Sequence, residues 1–274
     1  ARETAQAQLI GLAIDGNTPI GNGVGVSITG GTAHQIGTNG DGTRDVVERN
    51  VISGNQGDGI NIQTASGVVI AGNYIGTDVS GTLARGNAGN GATVTGDAGS
   101  STIGGINVGN VISGNAGSGI EIGDLANGST ITIQSNWIGT SKSGNLDLGN
   151  ASAGVHVSTV VAGGSAIVGG ITPGVANVIR NNAIGISVTG ESAVAVIRGN
   201  SISNNPANGT VGLGIELGPP NNDPLSNDGS DSDTGPNSLQ NYPTLSSALA
   251  GSQTEVTGSI SGEPSANLII DFYA

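Results

Sequence analysis

Two titratable residues of this chain fall where chemistry could be done. The tetrads Gly119-Ile120-Glu121-Ile122 and Gly154-Val155-His156-Val157 share one pattern, a glycine and then apolar residues on either side of a polar one. Such alternation is a short strand, which turns Glu121 and His156 away from the apolar face. Set on neighbouring strands, the pair lies about 5 Å apart, within reach for acid/base work. The same geometry also describes a solvated surface pair. Glu216 occupies the matching position three copies on, about 14 Å away by strand spacing. Carboxylate pairs that split glycosidic bonds stand roughly 5 to 9.5 Å apart, so Glu121 and Glu216 do not form one. With one Lys and two His in the chain, the base of a polysaccharide lyase is hard to place. No Ser-His-Asp arrangement emerges, and no GxxxxGK[ST] phosphate loop is present.

Binding chemistry has two further candidates. Tyr74 and Trp137 hold the same place in the motifs GNYIGT and SNWIGT. A spacing of about 10 Å, two strands apart, would suit aromatic platforms for sugars. The alternative is an apolar stripe covered by adjacent loops. Asp223, Asn227, Asp228, Asp231 and Asp233 gather oxygen ligands in a Gly-containing stretch, and calcium is the cofactor such oxygens suit. Their spacing is not that of an EF-hand, and GGxGxD repeats are absent, so an acidic linker is the plainer reading. No row of threonines supplies an ice-binding array.

Composition narrows the field. Net charge is −13, with one Lys and six Arg, which argues against nucleic acid as a partner because phosphate binding needs a basic face. Charged residues make up only 10% of the chain, yet Ile and Val recur regularly, so it folds rather than remaining disordered. The 51 glycines signal frequent turns. Cysteine is absent, which rules out disulfides and thiol chemistry. No segment is continuously apolar over a membrane's thickness, so no membrane insertion is expected. The opening ARETAQ reads as a processed or excised chain.

The elements that must position these residues come from a repeat. NVISGN stands at Asn50–Asn55 and again at Asn110–Asn115, with NVIRNN at Asn177–Asn182. GNYIGT, SNWIGT and GNSISN alternate with them. The tetrad Gly-apolar-any-apolar occurs seven times, from Gly23, Gly59, Gly91, Gly119, Gly154, Gly185 and Gly214. A third strand signal carries one Ile per copy, at Ile36, Ile70, Ile103, Ile133, Ile167 and Ile197. A unit this short buries its apolar face only by stacking on its neighbours. The expected fold is all-β, a right-handed parallel β-helix of about seven rungs with three short strands per rung.

The expected interior has three rows. One is Val24, Ile60, Ala92, Ile120, Val155, Ile186 and Ile215; a second is Val26, Ile62, Val94, Ile122, Val157, Val188 and Leu217; a third is Ile52, Ile75, Ile112, Ile138, Ile179 and Ile202. The outward row of the first strand type reads Gly25, Asn61, Thr93, Glu121, His156, Ser187, Glu216. Asn50, Asn73, Asn110, Asn136, Asn177 and Asn200 form a structural ladder that holds one turn, since Asn tolerates tight turns and its amide can bond to adjacent rungs. Loops at 10–23, 75–91 and 138–154 emerge on one side, and a second set at 38–49, 106–109 and 171–176 at another point. Loop-bearing faces are where repeat proteins usually bind.

The pattern stops after Leu217. Residues 1–218 form the β-helix, 219–240 an acidic Asn/Asp-rich linker and 241–274 a C-terminal β segment. Glu255–Ile260 and Leu268–Tyr273 read as a hairpin around SGEPSAN, which caps the stack or begins a β-sandwich.

The combination of NVISGN, GNxIGT and GIxI, followed by DTGPNSLQNYPTL and TEVTGSISG, resembles the β-helix repeats of large bacterial secreted and cell-surface proteins, a pectate-lyase-like fold. That resemblance covers essentially the whole chain. It is specific for fold and not for function; regular stacking without a convergent polar cluster points to a non-catalytic, adhesin-like shaft, spacer or filament component outside the cell, partnered by copies of itself or by glycans. The alternative it carries is a polysaccharide-binding or polysaccharide-degrading β-helix (lyase, hydrolase or epimerase). The GHG and RIK runs of β-helix pectinases and the DPHD run of uronate epimerases are absent.

Overall fold

A computed structural model describes residues 3–158, 163–207, 210–219, 225–229, 233–262, 267 and 269–271. The chain winds through three parallel sheets of seven strands each, visiting every sheet once per turn. The first sheet runs from Thr4–Ala5 to Val194–Arg198, the second from Leu9–Ile10 to Ser201–Ser203, and the third from Val26–Thr29 to Ile215–Leu217. This is a parallel β-helix with three strands per rung.

The rungs stack like on like. In the second sheet Ile10, Ile52, Ile75, Ile112, Ile138, Ile179 and Ile202 pair in sequence. In the third, Ile60, Ala92, Ile120, Val155 and Ile186 line one inner row and Ile62, Val94, Ile122, Val157 and Val188 the next, all with 1% exposure or less. Each fully buried Ile or Val contributes about 1.5–3 kcal/mol, and a one-residue slip would turn a whole strand inside out.

Register corrects the expected rows in two places. At the first rung the strand is Val26–Thr29, with Val26 opposite Ile60 and Ile28 opposite Ile62. Val24 lies outside it, 38% exposed, and the outward row starts at Ser27, not Gly25. The sequence GVGVSI fits the tetrad in two frames, and pairing selects the one that sets Ile28 over Ile62. In the first sheet Ile133 pairs with Val168 and Val168 with Ile197. Val168 is therefore the buried residue, while Ile167 faces outward beside Thr132.

Asparagines seal two of the corners. Between the first and second sheets, Asn50, Asn73, Asn110, Asn136, Asn177 and Asn200 donate side chain to side chain at 2.8–3.0 Å. Each amide also donates to a carbonyl one rung back, as from Asn110 to Ile70 at 2.8 Å. Each Oδ1 after the first accepts the backbone N–H of the preceding asparagine, as Asn136 does from Asn110 at 3.0 Å. A second ladder, missed in the sequence, seals the corner between the second and third sheets. It runs Asn22, Asn55, Asn87, Asn115, Asn150, Asn182, Asn205 at 2.8–3.2 Å. Its signal is the closing residue of NVISGN. That signal is obscured because the loops at 75–91 and 138–154 carry Asn87 and Asn150 far from the preceding motif. Buried backbone groups at a corner need partners, and these amides supply both donor and acceptor.

Glycine is required where a rung passes its neighbour. At Gly139 φ is +79°, and a Cβ would stand 1.9 Å from the Arg180 carbonyl. This is why IGT opens a loop.

The C-terminal region departs from expectation. A hairpin is present, but Glu255–Ser259 pairs antiparallel with Thr244–Leu249, upstream of it. Parts of the expected partner, Leu268–Tyr273, lie outside the described residues. Antiparallel pairing favours the short connection at 250–254 over the longer one through SGEPSAN. The strands of the hairpin are exposed along nearly all their length. What meets the open edge is the turn Pro236–Leu239. Asn237 donates its backbone N–H to Ala193 O and its side-chain amide to Ala195 O, and its Oδ1 accepts the Ala195 N–H, at 2.7–2.9 Å. It thereby supplies the bonds that another strand of the first sheet would make. A bidentate pair, Arg198 to Asp271 at 2.6 and 2.7 Å, ties the end of the chain to the last rung.

Candidate functional site

The outer face of the third sheet brings the two titratable candidates together. Glu121 and His156 are register partners. Glu121 Oε2 lies 2.8 Å from His156 Nδ1. The other carboxylate oxygen, Oε1, accepts from Ser158 Oγ at 2.8 Å. The far imidazole nitrogen, Nε2, lies 2.9 Å from Thr189 Oγ1. Carboxylate, imidazole and hydroxyl thus sit on three consecutive rungs in one hydrogen-bonded line. A carboxylate has no proton to give, so a neutral His156 carries its hydrogen on Nδ1 and accepts at Nε2 from the threonine. Side-chain exposure is 19% for Glu121 and 27% for His156, which leaves the pair held yet open to solvent.

Local sequence explains the arrangement. In GIEI and GVHV the flanking Ile and Val anchor the strand inside, and alternation turns Glu121 and His156 out. Ser158 and Thr189 each stand two residues beyond an outward strand position, so they share that face one step along. Thr189 was not found from sequence because it lies past the tetrad and meets His156 only across rungs.

The remaining candidates are distributed elsewhere. Glu216 ends the same outward row and is buried, with Ser187 Oγ donating to it at 3.4 Å. Tyr74 and Trp137 lie in the outer row of the second sheet, on alternate strands with Val111 between them. Tyr74 is only 9% exposed and packs with Leu12, Val51 and Val111 under the loops. The Arg49 guanidinium stands 4.0 Å from its ring centroid, and Gly81 of the 75–91 loop closes on its edge. Trp137 is half-buried, with Lys142 Nζ 5.5 Å from its ring. Only Trp137 retains open surface for a ligand.

Of the five acidic-loop candidates, Asp223 and Asp231 lie outside the described residues. Asn227 is engaged with the backbone of Tyr242, accepting its N–H at 3.0 Å and donating to its carbonyl at 2.8 Å. Asp228 Oδ1 lies 3.2 Å from Asn241 Nδ2. Among the described residues no cluster of three His, Asp or Glu could hold a metal ion.

Three aspartates titrate low. Hydrogen bonds from Thr18 and Asn17 draw Asp15 from 3.8 down to about 2. Burial pushes Asp78 up, but hydrogen bonds from Ser80, Leu83 and Thr82 outweigh it and hold the group below the usual range. The Arg198 hydrogen bond and charge lower Asp271. Asp15 and Asp78 organise the first two loops, which also touch: Val79 donates to Gly16 O at 2.9 Å and Arg85 Nε to Asn17 O at 2.8 Å.

A cavity of about 780 Å³ lies between the last rung and the C-terminal segment, with Ile197, Ile215, Leu217, Leu225 and Leu239 among its walls. No helix among the described residues is long and apolar enough to cross a membrane. Compared with known proteins, the chain matches no family model, no curated protein and no solved structure.

Proposed function

We propose that this chain is a non-catalytic extracellular module, a rigid shaft or spacer of a bacterial surface or secreted protein. The observation that carries the reading is the pair of asparagine ladders, which link rung to rung along two corners. Force along the axis would load these hydrogen bonds together with the sheet ladders. Assembly with a second copy, end to end or laterally, is part of this reading, since strands at the edge of a parallel sheet can accept further strands. Calcium held by the 219–240 segment would stiffen the junction with the hairpin.

Light scattering and negative-stain electron microscopy, with calcium and with chelator, test this. Rods or end-to-end oligomers are expected, and a chelator effect would assign calcium to the acidic segment. Depolymerisation of an acidic glycan, lost in Glu121→Gln, would overturn the reading.

The second reading is polysaccharide binding or cleavage, favoured by the 2.8 Å contact of Glu121 and His156. A glycan array with Trp137→Ala as control addresses its binding form.

A further inference from the structure

We propose that Thr189, His156 and Glu121 form an acyl-transfer site that cleaves small carboxylic esters, with Thr189 Oγ1 as nucleophile. The proposal does not rest on the spacer reading; it keeps the rigid stacked architecture of that reading and replaces its non-catalytic part. Four observations carry it. The hydroxyl, imidazole and carboxylate are joined in order at 2.9 and 2.8 Å. The carboxylate is anchored at its second oxygen by Ser158 at 2.8 Å, which fixes its orientation and that of the ring it holds. Glu121 and His156 stand on the outer face of paired strands, and Thr189, one residue past the strand Ile184–Val188, is tied to the same ladder by its N–H to Val157 O at 3.0 Å, a rigid base for a constellation that needs precise geometry. Finally, the position beyond Thr189 in this row is Gly218, paired through Gly218 N–H to Val188 O at 2.9 Å, so no side chain rises there. Leu225 and Leu239 come within 3.3 and 3.6 Å of the place a Cβ would take. They form a shallow apolar wall that suits a short acyl group such as acetyl.

The step balances within the site. Thr189 Oγ1 attacks the ester carbonyl carbon, and its proton passes to His156 Nε2. The carbon–oxygen bond to the alcohol breaks, and the departing oxygen takes the proton from Nε2. Water then attacks the acyl-threonine, again giving its proton to Nε2. The carboxylic acid leaves and Thr189 regains its hydrogen. Throughout, Glu121 holds Nδ1–H, selects the tautomer and offsets the imidazolium charge. Glu121 and Ser158 are positioning residues.

The test uses the intact chain with p-nitrophenyl acetate at mildly alkaline pH. Expected is turnover above that of free imidazole, with an acetyl group on the Thr189 peptide by mass spectrometry after acid quench. Thr189→Val, which keeps shape and removes the hydroxyl, should lower kcat by at least about 100-fold, and Thr189→Ser should restore it. Glu121→Gln should lower kcat with KM unchanged. Circular dichroism melts of each variant separate lost chemistry from lost folding. Acetylation of His156 or Lys142 instead, wild-type turnover in Thr189→Val, or no turnover by the folded wild type overturns the proposal. None of these outcomes bears on the rod shape that tests the spacer reading.

Discussion

The second and third sheets build the same inner wall of Ile and Val, yet their outer faces are opposites. On the second, Val51, Tyr74 and Val111 are buried beneath loops that leave after Ile10 and Ile75. On the third, among the described residues, no such buried apolar row forms beside the line of Glu121, His156 and Thr189, and the first two keep side-chain exposures of 19% and 27%. The difference lies in the connection that leaves each strand. A loop inserted at an asparagine corner folds back over the sheet and converts its outer row into a second small core. Stability is therefore invested in the second sheet's face, and chemistry is available on the third's.

The most drastic way to break this contrast is to remove what both faces share. Ile120→Asp places a carboxylate at a site with no exposure. An unpaired buried charge costs at least several kcal/mol, so the variant should lack a cooperative melt by circular dichroism. Asn110→Ala strikes the corner that the second sheet shares with the first. It deletes four hydrogen bonds among groups buried throughout. At about 1–3 kcal/mol for each group left unpaired, a loss of several kcal/mol is expected in denaturant unfolding.

A direct test of the contrast compares Tyr74→Ala with His156→Ala. The first empties a loop-covered pocket and should cost about 3 kcal/mol. The second breaks a partly exposed pair and should cost under about 1 kcal/mol. Equal losses would erase the distinction between the faces. Fluorescence of Trp137, the only tryptophan, reports the same contrast locally. Removing its cation in Lys142→Ala should shift emission to the red with little change in stability.

The smallest effect is with acid. Asp15, Asp78 and Asp271 all titrate below 3.8 in the folded chain. Depressed carboxylates contribute stability that is complete above the unfolded value and lost as pH falls through the folded one. Melting temperature should thus hold steady above 3.8 and fall below it, with the Asp15 loop giving way as pH approaches 2. In Asp78→Asn the decline should be shallower. An identical acid profile in that variant would remove the loops from the account.

Much of the fold could be read from local chemistry. Recurring tetrads and single Ile residues define strands by alternation, their spacing defines rungs, and Asn before the two-residue strands marks one corner. These features repeat, and a repeated local pattern stacks in only a few ways. Where the pattern fitted twice, as in GVGVSI and SAIV, sequence alone could not choose, and pairing with the next rung did. The hairpin partner was misplaced for the same reason, since two segments flank Glu255–Ser259 and loop length decided between them.

The polar line shows where the boundary falls. Alternation in each strand was enough to turn Glu121 and His156 outward, and equal spacing was enough to make them neighbours. Thr189 joins them only because the third sheet continues one step past the tetrad on the next rung. That Tyr74 is roofed while the pair on the third sheet is open depended on where loops fold back, a matter of contacts between residues far apart in the chain. Sequence determined which side chains leave each strand on which face, because backbone geometry dictates it. Tertiary structure decided which of them meet and which are covered, because register and packing between rungs set those contacts.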